Sequence, residues 1–398
     1  MPHIPLIFII AGEASGDQLG AELMASLKKL KEVRFAGIGG PAMAAQGLTS
    51  LFPMEELSLM GVLGILKNLP SLLKRLNFTV QTIQALKPNA VITIDAPEFS
   101  LRVMKRVHNF PQRPRLIHYV APTVWAWRPG KAKKISHFLD HLLCLYPFEP
   151  PYFEKHGLST TFVGHPVARE EIFPSSALGT ASGDDRDPNL LCVLPGSRSS
   201  EIKKLLPIFG ETVKRLKKDI PALKVMIPTL SPIESLVRQG TQDWPVDVQI
   251  VLGDETRKKV FQQSSAALAA SGTVALQLSA ARLPFVVAYK LEKINEWIVK
   301  ALVYTPWACM VNILLTFKKF GPNFILTRKA KELITEPWIP EFIQKNCVAE
   351  NLAPSLLHLL KNQEARTRQI NAMGEAISLL KAPSATAAKT ILEQIETY

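Results

Sequence analysis

The sequence predicts an α/β fold of two domains, each built on a parallel β-sheet with helices on both faces. Three observations carry that reading. Short, unbroken apolar runs alternate with segments of helical spacing, and strands buried on both faces read as continuous Val/Ile/Leu runs. The pattern halts at a stretch rich in Ser, Gly, Asp and Pro, residues 175–189, and then restarts. The chain has 398 residues, 47% of them apolar and 20% charged, which suffices for two cores and excludes a disordered chain.

The elements follow in order. Residues 4–10 form the first strand; the stretch lacks a basic flank, is too short for a signal peptide, and runs straight into an acidic, glycine-containing loop. Residues 18–31 have helical spacing. Strands are expected at 33–38, 90–94, 116–120, around 144–145, and at 161–163. After the linker the pattern gives a strand at 190–194, a helix at 201–218, and strands at 224–227, 248–251, 266–269 and 285–288. Two such units create a cleft, and open α/β sheets bind ligands beyond the carboxyl ends of their strands. Residues 57–78, LSLMGVLGILKNLPSLLKRLNF, differ: they are apolar nearly all round, with Lys67, Lys74 and Arg75 toward the end. Gly61, Gly64 and Pro70 weaken this segment as one long helix. It reads either as core or as an element lying in a bilayer interface. No uninterrupted apolar run reaches eighteen residues, so no transmembrane helix is expected, and no internal repeat is present, which excludes a solenoid.

The net charge of +13 attracts anions of any kind: nucleic acid, anionic lipid or phosphorylated substrates. Cys144, Cys192, Cys309 and Cys347 match no zinc or redox spacing and read as reduced, buried thiols of a cytoplasmic protein.

Five loops that follow strands carry candidate chemistry. The first is GEASGD, residues 12–17. It lacks the dinucleotide and P-loop patterns, which disfavours nicotinamide and ATP. Its carboxylates, Glu13 and Asp17, suit a hydroxyl-rich ligand; helix capping by Ser15 or Asp17 is the alternative. The second is IDAPEF, residues 94–99, where Asp95 ends a buried strand. Partial desolvation there raises a carboxyl pKa toward that of a general base; a turn-forming Asp before Pro is the plainer alternative. The third is PTVWAWR, residues 122–128. Aromatic faces such as Trp127 pack on sugar rings and Arg128 suits phosphate, while core packing of the tryptophans stays open.

The fourth loop, LPGSRSSE at 194–201, opens the second domain's first helix. Gly196 allows close approach, and Ser197 and Arg198 can donate to a diphosphate; a capped helix start is the alternative. The fifth, ASGTVALQ at 270–277, places Gly272 between Ser271 and Thr273 as a second anion cradle. Gln277 lies one helical turn beyond Thr273 and can reach a ribose hydroxyl. The histidines show no ligand spacing, so neither metal nor cofactor is expected: a diphosphate held by Arg198 and two helix termini needs no metal for charge stabilisation.

These motifs, in this order, resemble the lipid A disaccharide synthase family. The resemblance rests on AGEASGDQLGAEL, GIGGPAMAAQG, MEELSLMG, IDAPEFSLR, HYVAPTVWAWR, PFEPPYFEKHG and FVGHP, then LPGSRSSEI, ASGTVALQ, VNILL and IPEFIQKNC. It covers nearly the whole chain. It implies two facing Rossmann-like domains, the GT-B arrangement, divided as 1–174 (acceptor and membrane side), a linker at 175–189, 190–351 (UDP-sugar side), and a helical segment at 352–398 that packs back. It implies an inverting, metal-independent glycosyltransferase whose donor is UDP-2,3-diacylglucosamine and whose acceptor is 2,3-diacylglucosamine 1-phosphate. By position, Asp95 matches the general base. Glu13, Ser15, Asp17, Trp127 and Arg128 fall on the acceptor side. Gly196, Ser197, Arg198, Glu201, Ser271, Gly272, Thr273, Gln277, Asn312 and Glu341 fall on the UDP side.

The resemblance further implies a cytoplasmic enzyme held peripherally on the inner face of the inner membrane, an anionic membrane surface as partner, no nucleic acid, and a homodimer as one arrangement open to such proteins. The sequence departs from the family in two places: Gln277 stands where Glu is usual, and residues 316–338 form an insert rich in Lys and Arg. The runner-up is another UDP-sugar enzyme on the same plan, a polyprenyl-linked glycosyltransferase or a UDP-sugar epimerase. A basic binding module without catalysis is the remaining class, and its binding would be salt-dependent and indifferent to UDP.

Overall fold

The computed structural model describes residues 4–58, 62–169, 186–290, 305, 307–321, 336–383 and 386–397, with backbone alone at 58 and 62–69. The chain divides into two compact units. The first is Met1–Pro166 together with Lys381–Tyr398, and the second is Val167–Leu380.

Unit 1 holds strands β1 (Leu6–Ala11), β2 (Arg34–Ile38), β3 (Ala90–Ile94), β4 (Arg115–Tyr119), β5 (His141–Cys144) and β6 (Ser159–Phe162). They pair in parallel in the order β2-β1-β3-β4-β5-β6. Its helices are α1 (Ala14–Leu30), α2 (Pro41–Ala45), α3 (Glu55–Ser58), α4 (Val62–Leu86), α5 (Pro97–Val107), α6 (Gly130–Ser136) and α7 (Pro150–Glu154). Unit 2 holds β7 (Asp187–Leu194), β8 (Lys224–Thr229), β9 (Asp247–Leu252), β10 (Ser264–Ala270), β11 (Phe285–Tyr289) and β12 (Glu341–Ile343), again parallel, in the order β12-β11-β10-β7-β8-β9. Around them lie α8 (Ser199–Asp219), α9 (Glu234–Thr241), α10 (Asp254–Gln263), α11 (Val274–Ala280), α12 (Met310–Phe320), α13 (Ala349–Lys361) and α14 (Gln363–Ser378).

The C-terminal helix α15 (Thr386–Glu396) belongs to the first unit. Its Ala387, Ala388 and Ile391 share a core with Ile7, Ile9, Met24 and Ile92. Arg115 Nη2 donates to Gln394 Oε1 at 3.1 Å, which fastens α15 to β4. The helices expected from 352 onward are thus split: α13 packs on the second sheet, α14 packs on α11, α12 and α13, and α15 belongs to the first unit.

Each sheet reverses its winding once, between β1 and β3 and between β7 and β10. Such a switch point leaves a gap beyond the strand ends where a ligand fits. In register, Ala11 stands opposite Ile94, and Leu194 opposite Ala269. The loops that leave these strands therefore start level with one another.

Two differences from the sequence reading concern boundaries. The linker expected at 175–189 falls largely outside the described residues, and β7 begins at Asp187, within its expected last residues. The insert expected at 316–338 also lies mostly outside, but its start continues α12 to Phe320. A third difference concerns Pro70. Residues 62–86 are one helix that runs through it. Pro removes one N–H and clashes with the preceding turn, yet Leu76, Thr79 and Ile83 are buried at helical spacing beyond it, and tertiary packing outweighs the local penalty. Among the described residues no helix is long and apolar enough to cross a membrane.

Candidate functional site

At the switch point of unit 1, the loops after β1 and β3 touch. A Cβ on Gly12 would stand 2.6 Å from the Ala96 Cβ and 3.8 Å from the Leu57 Cβ, so only glycine lets these segments meet. Asp95 and Ala96 both take left-handed backbone, with φ of +51° and +45°. Each such residue other than glycine costs about 1–2 kcal/mol. Strain of this kind concentrates where a side chain must be aimed. Asp95 is half-buried. Burial raises its carboxyl above the ordinary value of 3.8, while the Ala96 N–H pulls it back down in part. This is the direction expected of a general base.

Beneath Asp95, Thr93 and His118 face each other in β3 and β4, with 2.7 Å between Oγ1 and Nδ1. Burial, followed by the charge of Lys131, lowers the His118 pKa to about 3, so this imidazole stays neutral.

The acceptor-side residues fall into two groups. Glu13 is the extended N-cap position of α1 and Ser15 lies in its first turn, both exposed beside Asp95's loop. Asp17 is buried, and its carboxylate accepts from the N–H groups of Gly40, Ala42 and Met43 at 2.8, 2.9 and 3.0 Å. It therefore caps α2 rather than its own helix, and shapes the loop GIGGPAM rather than facing solvent.

The loop after β4 separates the two tryptophans. Trp125 is buried edge-on to Phe148, with centroids 5.2 Å apart. Trp127 is exposed, with its indole N–H on Thr123 Oγ1 at 3.0 Å and the Arg128 guanidinium 4.3 Å from its ring centroid. One tryptophan is core and the other leaves its ring at the surface.

The loop after β5 holds a residue that the sequence reading missed. Glu149 is enclosed, accepting from the N–H groups of Leu145 and Tyr146 at 3.1 and 3.0 Å and from Trp125 Nε1 at 3.3 Å. It joins the β4 and β5 loops. Burial pushes its pKa up to about 8, against the lowering effect of these three donors. The available signal was an acid set among aromatics and prolines just after a buried strand, in LCLYPFEPPYF.

In unit 2 the loops after β7 and β10 start level at the switch point. Gly196 has φ +112°, and a Cβ there would meet Glu201 Oε2 at 2.7 Å. Glu201 in turn holds Arg198, with Nη1 to Oε1 at 3.2 Å, while the Arg198 side chain stays 77% exposed. Ser197 is exposed beside it. Beyond β10, Ser271 N donates to Ala288 O at 3.2 Å, and Gly272 has φ +156° with open space where a side chain would stand. Thr273 is exposed, and Gln277 is half-buried in α11. Tyr289, at the end of β11, was also missed. Burial raises its pKa, Glu201 adds to the rise and Arg198 opposes it, so its hydroxyl lies within electrostatic reach of the β7 loop.

Asn312 and Glu341 meet each other. Asn312 Nδ2 donates to Glu341 Oε1 at 2.7 Å and to Ile339 O at 2.8 Å, and its Oδ1 accepts from Ile339 N at 3.0 Å. Glu341 also accepts from Ala308 N and Cys309 N at 2.8 and 2.9 Å. The pair anchors the start of α12 to β12. The four cysteines are free and buried, as the sequence suggested.

The fold is shared widely. The glycotransferase of kitacinnamycin superposes with a TM-score of 0.61 at 14% identity, covering 99% of this chain and 100% of that one. A UDP-GlcNAc 2-epimerase from Neisseria meningitidis, bound to UDP-GlcNAc, superposes at 0.57 and 11% identity, covering 99% and 100%. At such identities only the architecture is common, and a transferase and an epimerase are both compatible with it. Sequence separates them. Residues 7–395 match the family model described as lipid-A-disaccharide synthetase, and the lipid-A-disaccharide synthase of Rhodospirillum centenum is 44% identical over 98% of this chain and 94% of its own.

The chain belongs to the lipid-A-disaccharide synthetase family. As a member of that family it is a glycosyltransferase of lipid A and lipopolysaccharide biosynthesis in Gram-negative bacteria, taking a UDP-sugar donor and a phosphorylated sugar acceptor. The epimerase alternative shares the fold alone.

Proposed function

We propose that this chain transfers 2,3-diacylglucosamine from its UDP conjugate to O6 of 2,3-diacylglucosamine 1-phosphate, forming a β-1,6-linked disaccharide 1-phosphate and releasing UDP. Asp95 carries the reading: it is a strained, half-buried carboxylate with a raised pKa, at the switch point of a family member's first sheet.

In this reaction Asp95 removes the O6 proton as the oxygen attacks the anomeric carbon. The bond between that carbon and the diphosphate oxygen breaks, and the configuration inverts. Negative charge develops on the departing diphosphate. Ser197, Arg198 and the backbone around Ser271, Gly272 and Thr273 meet that charge, and fixed donors of this kind stabilise a transition state without reorganising. Gly196 gives the diphosphate close access, and Glu201 aims Arg198. Gln277 takes a ribose hydroxyl, and the Asn312–Glu341 pair sets the nucleotide-side loop. On the acceptor side, Glu13, Ser15, Trp127 and Arg128 hold the sugar, with Asp17 acting through the Gly40 loop. No metal or cofactor enters the scheme.

The acyl chains stay in lipid, because withdrawing them costs about 0.8 kcal/mol per CH₂. The enzyme therefore works peripherally at the cytoplasmic face of the inner membrane, through α4 and the basic surface.

The test supplies both substrates in detergent micelles and follows products by mass spectrometry. Disaccharide phosphate and UDP in equal amounts are expected, and UDP without disaccharide sinks the proposal. Arg198→Ala should weaken UDP binding about tenfold to a hundredfold, the worth of one charge-assisted contact. Undiminished UDP binding would remove Arg198 from the donor site.

A further inference from the structure

Lys131 has no part in the scheme above. It lies in α6, one turn beyond Arg128, whose carbonyl accepts its backbone N–H at 2.9 Å. Its side chain is 26% exposed and it pairs with Glu98, with Nζ to Oε1 at 3.6 Å. That distance is an ion pair but too long for a hydrogen bond. Among the described residues, no acceptor stands within hydrogen-bond distance of this ammonium, which is left to a ligand or to solvent. The ammonium also lies close enough to buried His118 to lower its pKa. Glu98 follows Asp95 by three residues in the first turn of α5. Lys131 therefore stands beside the strand end that carries Asp95.

Arg128 is similar. Its backbone is left-handed, with φ +52°. Its guanidinium lies over Trp127, and among the described residues no carboxylate pairs with it. A guanidinium stacked on a ring keeps its N–H edge for another ligand. The segment RPGKAKK, residues 128–134, carries four cations and no acid. Two donors without acceptors, one turn apart and next to the base, suit a phosphate monoester.

We infer that Arg128 and Lys131 bind the phosphate of the acceptor, and that Glu98 holds Lys131 in place for it. The inference rests on the proposed reading of the reaction. The acceptor's reacting O6 is carried through C6 on C5 and its phosphate on C1, the two carbons that flank the ring oxygen, so one edge of a single pyranose ring presents both. With O6 on Asp95 and the ring on Trp127, the phosphate reaches the α6 side.

The test compares two acceptors, 2,3-diacylglucosamine 1-phosphate and the same lipid without phosphate, with wild type, Lys131→Gln and Arg128→Gln. Acceptor KM, kcat and UDP affinity are measured for each. Wild type should favour the phosphorylated acceptor. Each variant should raise the KM for that acceptor about tenfold or more and leave UDP affinity unchanged, and Lys131→Gln should also leave the KM for the phosphate-free lipid unchanged. The inference is overturned if wild type treats the two acceptors alike, if a variant loses both equally, or if both variants keep the preference. No disaccharide from wild type with either acceptor would overturn the wider reading and this inference with it.

Discussion

Asp17, Glu149 and Asp95 are three carboxylates of one unit, and burial treats each differently. Asp17 gives its oxygens to three backbone N–H groups of one short helix. Asp95 is left half-open, with a raised pKa and a strained backbone that aims it. Glu149 has three donors too, but full enclosure lifts it from 4.5 to about 8. Between those values the native chain holds a proton that the unfolded chain has released. Stability then falls as pH rises through that window. Glu149→Gln cannot titrate. In urea unfolding, the stability of wild type relative to this variant should therefore decline from pH 4.5 to 8. A constant difference across that range would mean that Glu149 is already ionised in the native state. The same variant places an amide N–H against Trp125 or a backbone donor, so it also probes the join between the Trp127 loop and the β5 loop.

The strands show how far the sequence is legible. Continuous apolar runs located β3 and β11 to within a residue, because a strand buried on both faces has no polar alternation to confuse it. β5 was located only at its end, since His141 at its start reads as polar; its ring instead meets Thr161 Oγ1 of β6 at 2.9 Å. β12 went unseen. Three residues carry no periodicity, and the carboxylate of the first, Glu341, bonds to the start of α12, a link that spacing does not show. The site loops were legible as motifs, but what links them was not: Asp17 reaches a helix 23 residues away, and Glu149 reaches Trp125 across 24. Such partners are set by sheet order, which periodicity does not reveal.

Helix α4 adds a prediction at this scale. Its second half buries Leu76, Thr79 and Ile83 and leaves Lys74 and Phe78 exposed one turn apart. Arg75 faces elsewhere, on Glu56 by two bonds of 2.7 Å and over Phe52. If α4 meets the bilayer by this edge, Phe78→Asp should lower partition onto anionic vesicles about tenfold, from the loss of one buried apolar side chain. Unchanged vesicle binding would move the membrane contact away from α4.

The whole chain repeats one plan, a six-stranded parallel sheet with one switch point and glycine-bearing loops beyond it. Unit 1 places a carboxylate, a tryptophan face and the cations Arg128 and Lys131 there. Unit 2 places Arg198, hydroxyls and the positive-φ glycines Gly196 and Gly272 there. The first set suits a sugar phosphate that gives up a proton, and the second a nucleoside diphosphate that leaves. A net charge of +13 fits both anionic substrates and anionic lipid.

The central claim is that Asp95 is the base of a disaccharide-forming transfer. It is tested by the rate of disaccharide formation for wild type and Asp95→Asn as a function of pH, with UDP affinity as the control for folding. Asp95 must be ionised to accept the O6 proton, so wild-type kcat/KM should rise with pH through an apparent pKa above 3.8. Asp95→Asn should bind UDP normally and lose about 10²- to 10⁴-fold in rate, with that rise abolished. A variant that keeps its rate within a few-fold, or keeps the same pH profile, would contradict the account.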